Sequence, residues 1–403
     1  MAAFSQVYPQ LDIESLVRAS QAQTTDAAVR RILARGRAST LAEFAALLSP
    51  AAAPHLETLC RLSQAITRKF FGKTIRLFAP IYLSNECVNI CTYCGFSRNN
   101  PIPRITLPVE QVVREVGLLA RQGFRSLLIV AGEHPKYVSN GYVEEVIRRC
   151  LPLMPSIALE LGPLETPDYR PMVAAGAEGL AVYQETYHRP TYEQLHTAGP
   201  KKHYLWRMDT PERAYAAGFR RLGIGALYGL YDWRYEAISV AAHALHLLRH
   251  CWKAQINISL PRMRPAAGGF QPEHPMADRE LVQTIAALRL LLPHCGIVLS
   301  TREPPALRDG LVPLGVTTMS AGSSTEPGGY SHAFDESNWT PHEDQPGEQF
   351  HIADERSPAE VAAMIRRHGY EPVWKDFDQS LVTPALFGRA SQPAASTLAT
   401  PTG

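Results

Sequence analysis

The sequence predicts an α/β fold: a (β/α)8 barrel of the TIM type, with an N-terminal helical extension and a C-terminal wrapping segment. Three observations carry this expectation. From Leu77 onward, eight short apolar runs alternate with helix-patterned stretches. That alternation is the mark of parallel βαβ units, and eight is the number that closes such a barrel. Residues 1–75 show helical periodicity only. Residues able to do chemistry stand directly after several of the runs, where a barrel builds its active site. An open doubly wound sheet is the competing arrangement for the same alternation.

The elements follow in order. In residues 1–75, Leu41, Phe44, Ala45, Leu47 and Leu48 recur at helical intervals, as do Leu56, Leu59, Leu62 and Ile66; Pro50 and Pro54 separate the two segments. Residues 76–322 form the barrel, with strands predicted at 77–83, 126–131, 157–161, 179–183, 224–228, 255–260, 296–300 and 316–320. Helices are predicted between them at 109–122, 142–151, 211–217, 238–251 and 278–292. Residues 323–388 turn rich in Gly, Pro, Ser and acidic residues and read as a segment wrapping the surface. Within it 357–367 is a helix, with Ser357 as N-cap and Pro358 at the first position. Residues 389–403 are a low-complexity tail expected to be disordered.

Composition limits the function. A chain of 403 residues, 45% hydrophobic, buries a large core. Its 40 basic and 38 acidic residues give no case for a nucleic-acid or membrane-surface partner. No apolar run reaches the roughly 18 residues that span a bilayer. The first residues lack the charged-then-apolar order of a signal peptide. A soluble protein in a reducing, cytoplasmic compartment is expected.

Cys87, Cys91 and Cys94 follow the first strand with the spacing Cys-x3-Cys-x2-Cys. Three thiolates on one loop hold three irons of a 4Fe–4S cluster, which ordinarily takes four, so the fourth iron stays open to another ligand. Buried thiols, a zinc site and disulfides are the competing readings. Zinc wants a fourth Cys or His at short spacing, and the nearest histidine, His134, lies about forty residues on. Disulfides fit a reducing compartment poorly. Cys60, Cys150, Cys251 and Cys295 are scattered singly and read as small apolar packing residues.

The runs YLSNECVNICTYCGFS, AGEH, VYQETYH, YLWRMDTPERAYAAGF, LSTRE and PGGY, together with Val373-Trp374-Lys375-Asp376, carry a resemblance. The cysteine loop resembles the radical S-adenosylmethionine (SAM) superfamily. The remaining runs resemble its aromatic amino acid lyases, and most nearly the tyrosine lyases (2-iminoacetate synthases) of thiamine biosynthesis. The resemblance implies one 4Fe–4S cluster on Cys87, Cys91 and Cys94, with SAM chelating the open iron. It implies that Tyr93 lies near the adenine, a packing aromatic being the competing reading. Gly132 and Glu133 match a Gly-Gly-Glu strand end that binds the SAM ammonium, with Ala131 replacing the first glycine. Gln184 and Glu185 fall where ribose is bound, and Glu160 competes for that role. Arg207 matches an arginine that pairs with the SAM carboxylate; a helix-capping ion pair is the plainer reading of it.

On the substrate side, the resemblance places Arg302 as a bidentate clamp for the tyrosine carboxylate. Ser320 and Tyr82 are weaker members of that site, each equally readable as a barrel-interior residue. The implied reaction cleaves the tyrosine Cα–Cβ bond. It gives 2-iminoacetate (dehydroglycine) and p-cresol, with 5′-deoxyadenosine and methionine as co-products. The implied partners are L-tyrosine, an external electron donor and thiazole synthase, with the Gly/Pro-rich segment after Ala321 as a lid or docking element. A hydrogenase-maturation tyrosine lyase is disfavoured, because that branch carries a second, C-terminal cluster and no cysteine follows Cys295. A tryptophan lyase of the same family would use the same carboxylate clamp. A zinc- or thiol-bearing barrel protein accounts for the three cysteines but not for the motifs at the remaining strand ends.

Overall fold

The computed structural model describes residues 3–334 and 347–374. Eight parallel strands form its centre: β1 (Thr74–Ser84), β2 (Ser126–Ala131), β3 (Ser156–Glu160), β4 (Gly179–Ala181), β5 (Arg221–Gly225), β6 (Gln255–Ser259), β7 (Gly296–Leu299) and β8 (Thr318–Ser320). Each pairs with its successor. The ring closes where β8 meets β1, with Arg76 opposite Thr318, Leu77 opposite Met319 and Phe78 opposite Ser320. This closure excludes the open sheet.

Side-chain alternation along a strand divides the core in two. In β1, Leu77, Ala79, Ile81 and Leu83 are fully buried in the main apolar core, while Phe78, Pro80 and Tyr82 line the barrel cavity. The same split recurs in β2, with Leu127 and Ile129 in the core and Leu128 and Val130 facing the cavity. Each fully buried aliphatic side chain contributes roughly 1.5–3 kcal/mol, so a one-residue register slip is strongly disfavoured.

The predicted β5 is shifted by three residues: the strand runs Arg221–Gly225, not 224–228. Arg221 hid its start. Its guanidinium is buried and paired with Glu178 at 2.9 Å, in a polar floor where Arg76 donates to Ser126 Oγ (2.9 Å) and Ser156 Oγ (3.2 Å). An apolar-run criterion does not see a strand that opens on a charge.

The N-terminal helices, chiefly Ile13–Ala22, Leu41–Leu47 and Leu56–Phe71, pack on the barrel helices Trp233–His250 and Asp278–Leu291. Gln283 ties them by donating from Nε2 to the Leu47 carbonyl at 2.8 Å. The helix Pro358–Arg367 starts as expected, with Ser357 and Glu360 forming a reciprocal capping box. Beyond it Glu371–Val373 adds a parallel strand against the start of β1, which the sequence pattern does not signal. The expected tail at 389–403, Lys375, Asp376 and the rest of the wrapping segment at 335–346 and 375–388 lie outside the described residues. No helix of the described residues is long and apolar enough to cross a membrane.

Candidate active site

The cysteine loop leaves β1 over the C-terminal mouth of the barrel. Its departure is marked by an irregularity in the β1–β2 register between Tyr82 and Ser84. The loop is held on several sides. Ile90 and Cys91 pair in antiparallel fashion with Ala198 and His196, forming a short ribbon. Cys94 N–H donates to the Cys91 carbonyl at 3.2 Å. Arg104 donates to the carbonyls of Asn85 (2.7 Å), Phe96 (2.9 Å), Ser97 (2.7 Å) and Asn100 (3.1 Å). Asn89 bridges outward: its amide donates to Glu133 Oε2 at 2.6 Å, and its Oδ1 accepts from the Lys201 N–H at 2.9 Å. Gly132 is obligatory, because a Cβ there would overlap the Glu86 carbonyl oxygen.

All three loop cysteines are free. Burial pushes the Cys91 and Cys94 thiols up, with Lys201 opposing it. Thiolates there need cationic compensation, which a bound metal would supply. His134 lies against the Tyr137 ring, centroids 4.6 Å apart, and does not line the thiol cavity. Cys87, Cys91 and Cys94 together line one cavity, a donor set that fits three irons of a cubane cluster.

Two cavities meet beside the loop. One, of about 90 Å³, is lined by the three cysteines, Gly132, Glu133 and Arg207. The other, of about 130 Å³, lies in the barrel mouth and is lined by Tyr82, Tyr93, Tyr183, Arg302, Ser320 and Phe350. Cys94, Glu160, Glu185, Lys201 and Gln349 border both.

The shared wall is densely charged. Glu185 has φ of 69°, a left-handed conformation costly for a residue with a Cβ and found at functional sites. Its Oε1 accepts from Lys201 Nζ at 2.7 Å and from Arg207 Nη2 at 3.3 Å. Burial pushes the Glu185 carboxyl up, but the two cations reverse this and leave it below the ordinary carboxylate range. Glu160 has no such direct partner among the described residues. Burial first, then the Glu185 charge, push it up to about 7, against Arg302, Lys201 and Arg207. Tyr93 lies under Lys201, whose Nζ is 5.6 Å from the ring centre, and shares a 2.8 Å hydrogen bond with His196 Nε2. His196 Nδ1 lies 2.8 Å from the Tyr192 carbonyl, which can only accept, so Nε2 is the acceptor and Tyr93 donates. Burial and Lys201 pull His196 down to about 3, which keeps it neutral.

On the barrel side, Arg302 is half-buried, with its guanidinium against Phe350. Ser320 Oγ accepts from the Thr301 N–H at 3.1 Å, and Tyr82 donates to Gln349 Oε1 at 2.8 Å.

Of the predicted site residues, Cys87, Cys91, Cys94, Tyr82, Tyr93, Glu133, Glu160, Glu185, Arg207, Arg302 and Ser320 come together on these two cavities. Gln184 does not. Alternation at the end of β4 sends Tyr183 and Glu185 inward and Gln184 outward, where its Nε2 donates to the Tyr204 carbonyl at 3.2 Å. Lys201, Asn89, Arg104, Gln349 and Phe350 were not anticipated. Lys201 precedes the YLWRMDT run by three residues, and that proximity is the one sequence signal near it.

Comparison with known proteins agrees with this geometry. Residues 81–242 match the radical SAM superfamily, and residues 259–371 match the biotin and thiamin synthesis associated domain. The chain is 42% identical over 397 residues to the 2-iminoacetate synthase of Escherichia coli (strain K12), covering 97% of this chain and 100% of that one. It is 43% identical over 356 residues to the 2-iminoacetate synthase of Salmonella typhimurium, covering 87% and 89%. Among solved structures it resembles the FeFe-hydrogenase maturase HydG from Carboxydothermus hydrogenoformans, with TM-score 0.78 and 32% identity, covering 94% of this chain and 84% of that one. With the three-cysteine loop and the paired cavities already in place, the full-length identity decides the assignment: the chain belongs to the 2-iminoacetate synthase family of the radical SAM superfamily.

Proposed function

We propose that this protein is a tyrosine lyase of thiamine thiazole biosynthesis. It cleaves the Cα–Cβ bond of L-tyrosine to 2-iminoacetate and p-cresol, with 5′-deoxyadenosine and methionine as co-products. The observation that carries this reading is the joining of a three-thiol cavity to a barrel cavity lined by an arginine, in a chain matched along its whole length to 2-iminoacetate synthases.

When bound, the reduced 4Fe–4S cluster and SAM supply a 5′-deoxyadenosyl radical. Cys87, Cys91 and Cys94 hold the cluster. Glu133 and the backbone at Gly132 receive the SAM ammonium, and Arg207 its carboxylate. Glu185 and Glu160 accept from the ribose hydroxyls, and Tyr93 lies by the adenine. Arg302 clamps the tyrosine carboxylate in the adjoining cavity, with Ser320 and Tyr82 beside it. Generating that radical would take one electron, and reducing the 4-hydroxybenzyl fragment to p-cresol would take a second electron and a proton, so an external donor is required. Water hydrolyses the imine product, which favours direct transfer to thiazole synthase.

The test is an anaerobic incubation of reconstituted, reduced protein with SAM and tyrosine. The expected products are 5′-deoxyadenosine, p-cresol and glyoxylate from the hydrolysed imine. Deoxyadenosine formed with no p-cresol would refute the tyrosine assignment.

A further inference from the structure

Residues 347–354 cross the barrel mouth and touch both halves of the site. Gly95, next to Cys94, donates its N–H to the Gln349 carbonyl at 3.0 Å. A Cβ at Gly95 would overlap the carbonyl oxygens of Glu348 and Gln349, so the approach depends on glycine. Further along, His351 N–H donates to the Pro265 carbonyl and Ala353 N–H to the Thr301 carbonyl, both at 2.9 Å. The far end is latched by Asp354, fully buried and ion-paired with buried Arg308.

Between these anchors two side chains face the cavity. The Phe350 ring centre lies 3.3 Å from the Arg302 guanidinium carbon. Gln349 Oε1 accepts from the Tyr82 hydroxyl at 2.8 Å. Among the described residues the guanidinium has little else to orient it: its hydrogen bond is from Nη1 to the Arg262 carbonyl, at 3.5 Å. A ring stacked on the face of the fork leaves the in-plane N–H donors free. The ring therefore fixes the plane of the fork without competing for a carboxylate.

We propose that Phe350 and Gln349 are positioning residues for the substrate. Phe350 sets the plane of Arg302, Gln349 sets Tyr82, and the Gly95–Gln349 bond refers both to the cluster loop. The distance between the bound tyrosine and the radical source is then set by one residue pair. This inference rests on the tyrosine-lyase reading.

The test uses anaerobically reconstituted holoenzyme: wild type, Phe350→Leu, Phe350→Tyr and Gln349→Ala. Three quantities are measured: iron content with the EPR spectrum of the reduced cluster, the tyrosine Kd on unreduced holoenzyme with SAM, and the ratio of 5′-deoxyadenosine to p-cresol. Phe350→Leu keeps the apolar volume and loses the ring face. It is expected to retain iron and spectrum, to weaken tyrosine binding about tenfold, and to raise the ratio. Phe350→Tyr restores both. Gln349→Ala raises the ratio with a smaller change in Kd. A Phe350→Leu enzyme with wild-type Kd and ratio overturns the proposal. So does one that loses iron in step with tyrosine binding, since the role is then structural. Wild-type enzyme that makes no p-cresol refutes the lyase reading itself, a result distinct from either.

Discussion

Lys201 Nζ lies 2.7 Å from Glu185 Oε1, and Arg207 reaches the same oxygen at 3.3 Å, in the wall shared by the two cavities. Two cations on one strained, largely enclosed carboxylate hold it below the ordinary carboxylate range, against the upward push of burial. Lys201→Met removes the nearer cation and leaves Arg207 alone on the carboxylate. The variant is therefore expected to lower stability by about 1.5–3 kcal/mol, the worth of one hydrogen bond to a charged group, and to weaken SAM binding, read by chemical denaturation and by SAM titration. Wild-type values in both measurements would remove Lys201 from the site.

Glu160 gives a pH-dependent test. Its pKa rises from the ordinary 4.5 to about 7 in the folded protein. Between these values the folded state holds a proton that the unfolded chain has released, so stability declines as pH rises through the window. Above it, the buried carboxylate costs at most about 3 kcal/mol. Glu160→Gln escapes this cost. The ligand-free variant should melt above wild type at pH 8, and the gain should vanish near pH 4.5. A gain independent of pH contradicts the assignment.

Arg104 organises the cysteine loop through four carbonyls. A lysine keeps the charge but not the planar fork. Arg104→Lys should fold with a near-normal circular dichroism spectrum, yet take up less than about half the wild-type iron, since hydrogen bonds to a charged group are worth about 1.5–3 kcal/mol each. Full iron loading would show that the loop holds its shape without the fork.

Arg302→Ala separates clamp from cluster. The variant should bind iron normally and lose tyrosine turnover by about 100-fold or more, the usual effect of deleting one member of a hydrogen-bonded charge pair enclosed around a ligand. Cys91→Ala should lose iron and turnover together. An Arg302→Ala enzyme with full tyrosine activity would move the carboxylate site elsewhere.

The sequence exposed what is local and periodic. Eight apolar runs placed eight strands, and the residues following them placed the thiols, Glu133, Glu160, Glu185 and Arg302 at one mouth. What it hid is long-range. Lys201 reaches Glu185 only because the chain between them folds back through the ribbon at 196–198. Phe350 meets Arg302 across a stretch of sequence with no shared periodicity. Gln184 lines neither cavity, because a motif gives residue order but not which way each side chain turns at a strand end. The start of β5 was missed because Arg221 is buried with its own counter-charge.

The ribbon between Ile90–Cys91 and His196–Ala198 has a thermodynamic consequence. One strand carries a cysteine of the loop, and the other leads directly into Lys201 and Arg207. Ordering either strand orders its partner, so filling the loop and filling the adjoining cavity are linked equilibria. Linkage is reciprocal. Whatever factor iron loading adds to SAM affinity, SAM must return to the retention of iron, and a chelator should strip the protein more slowly when SAM is present.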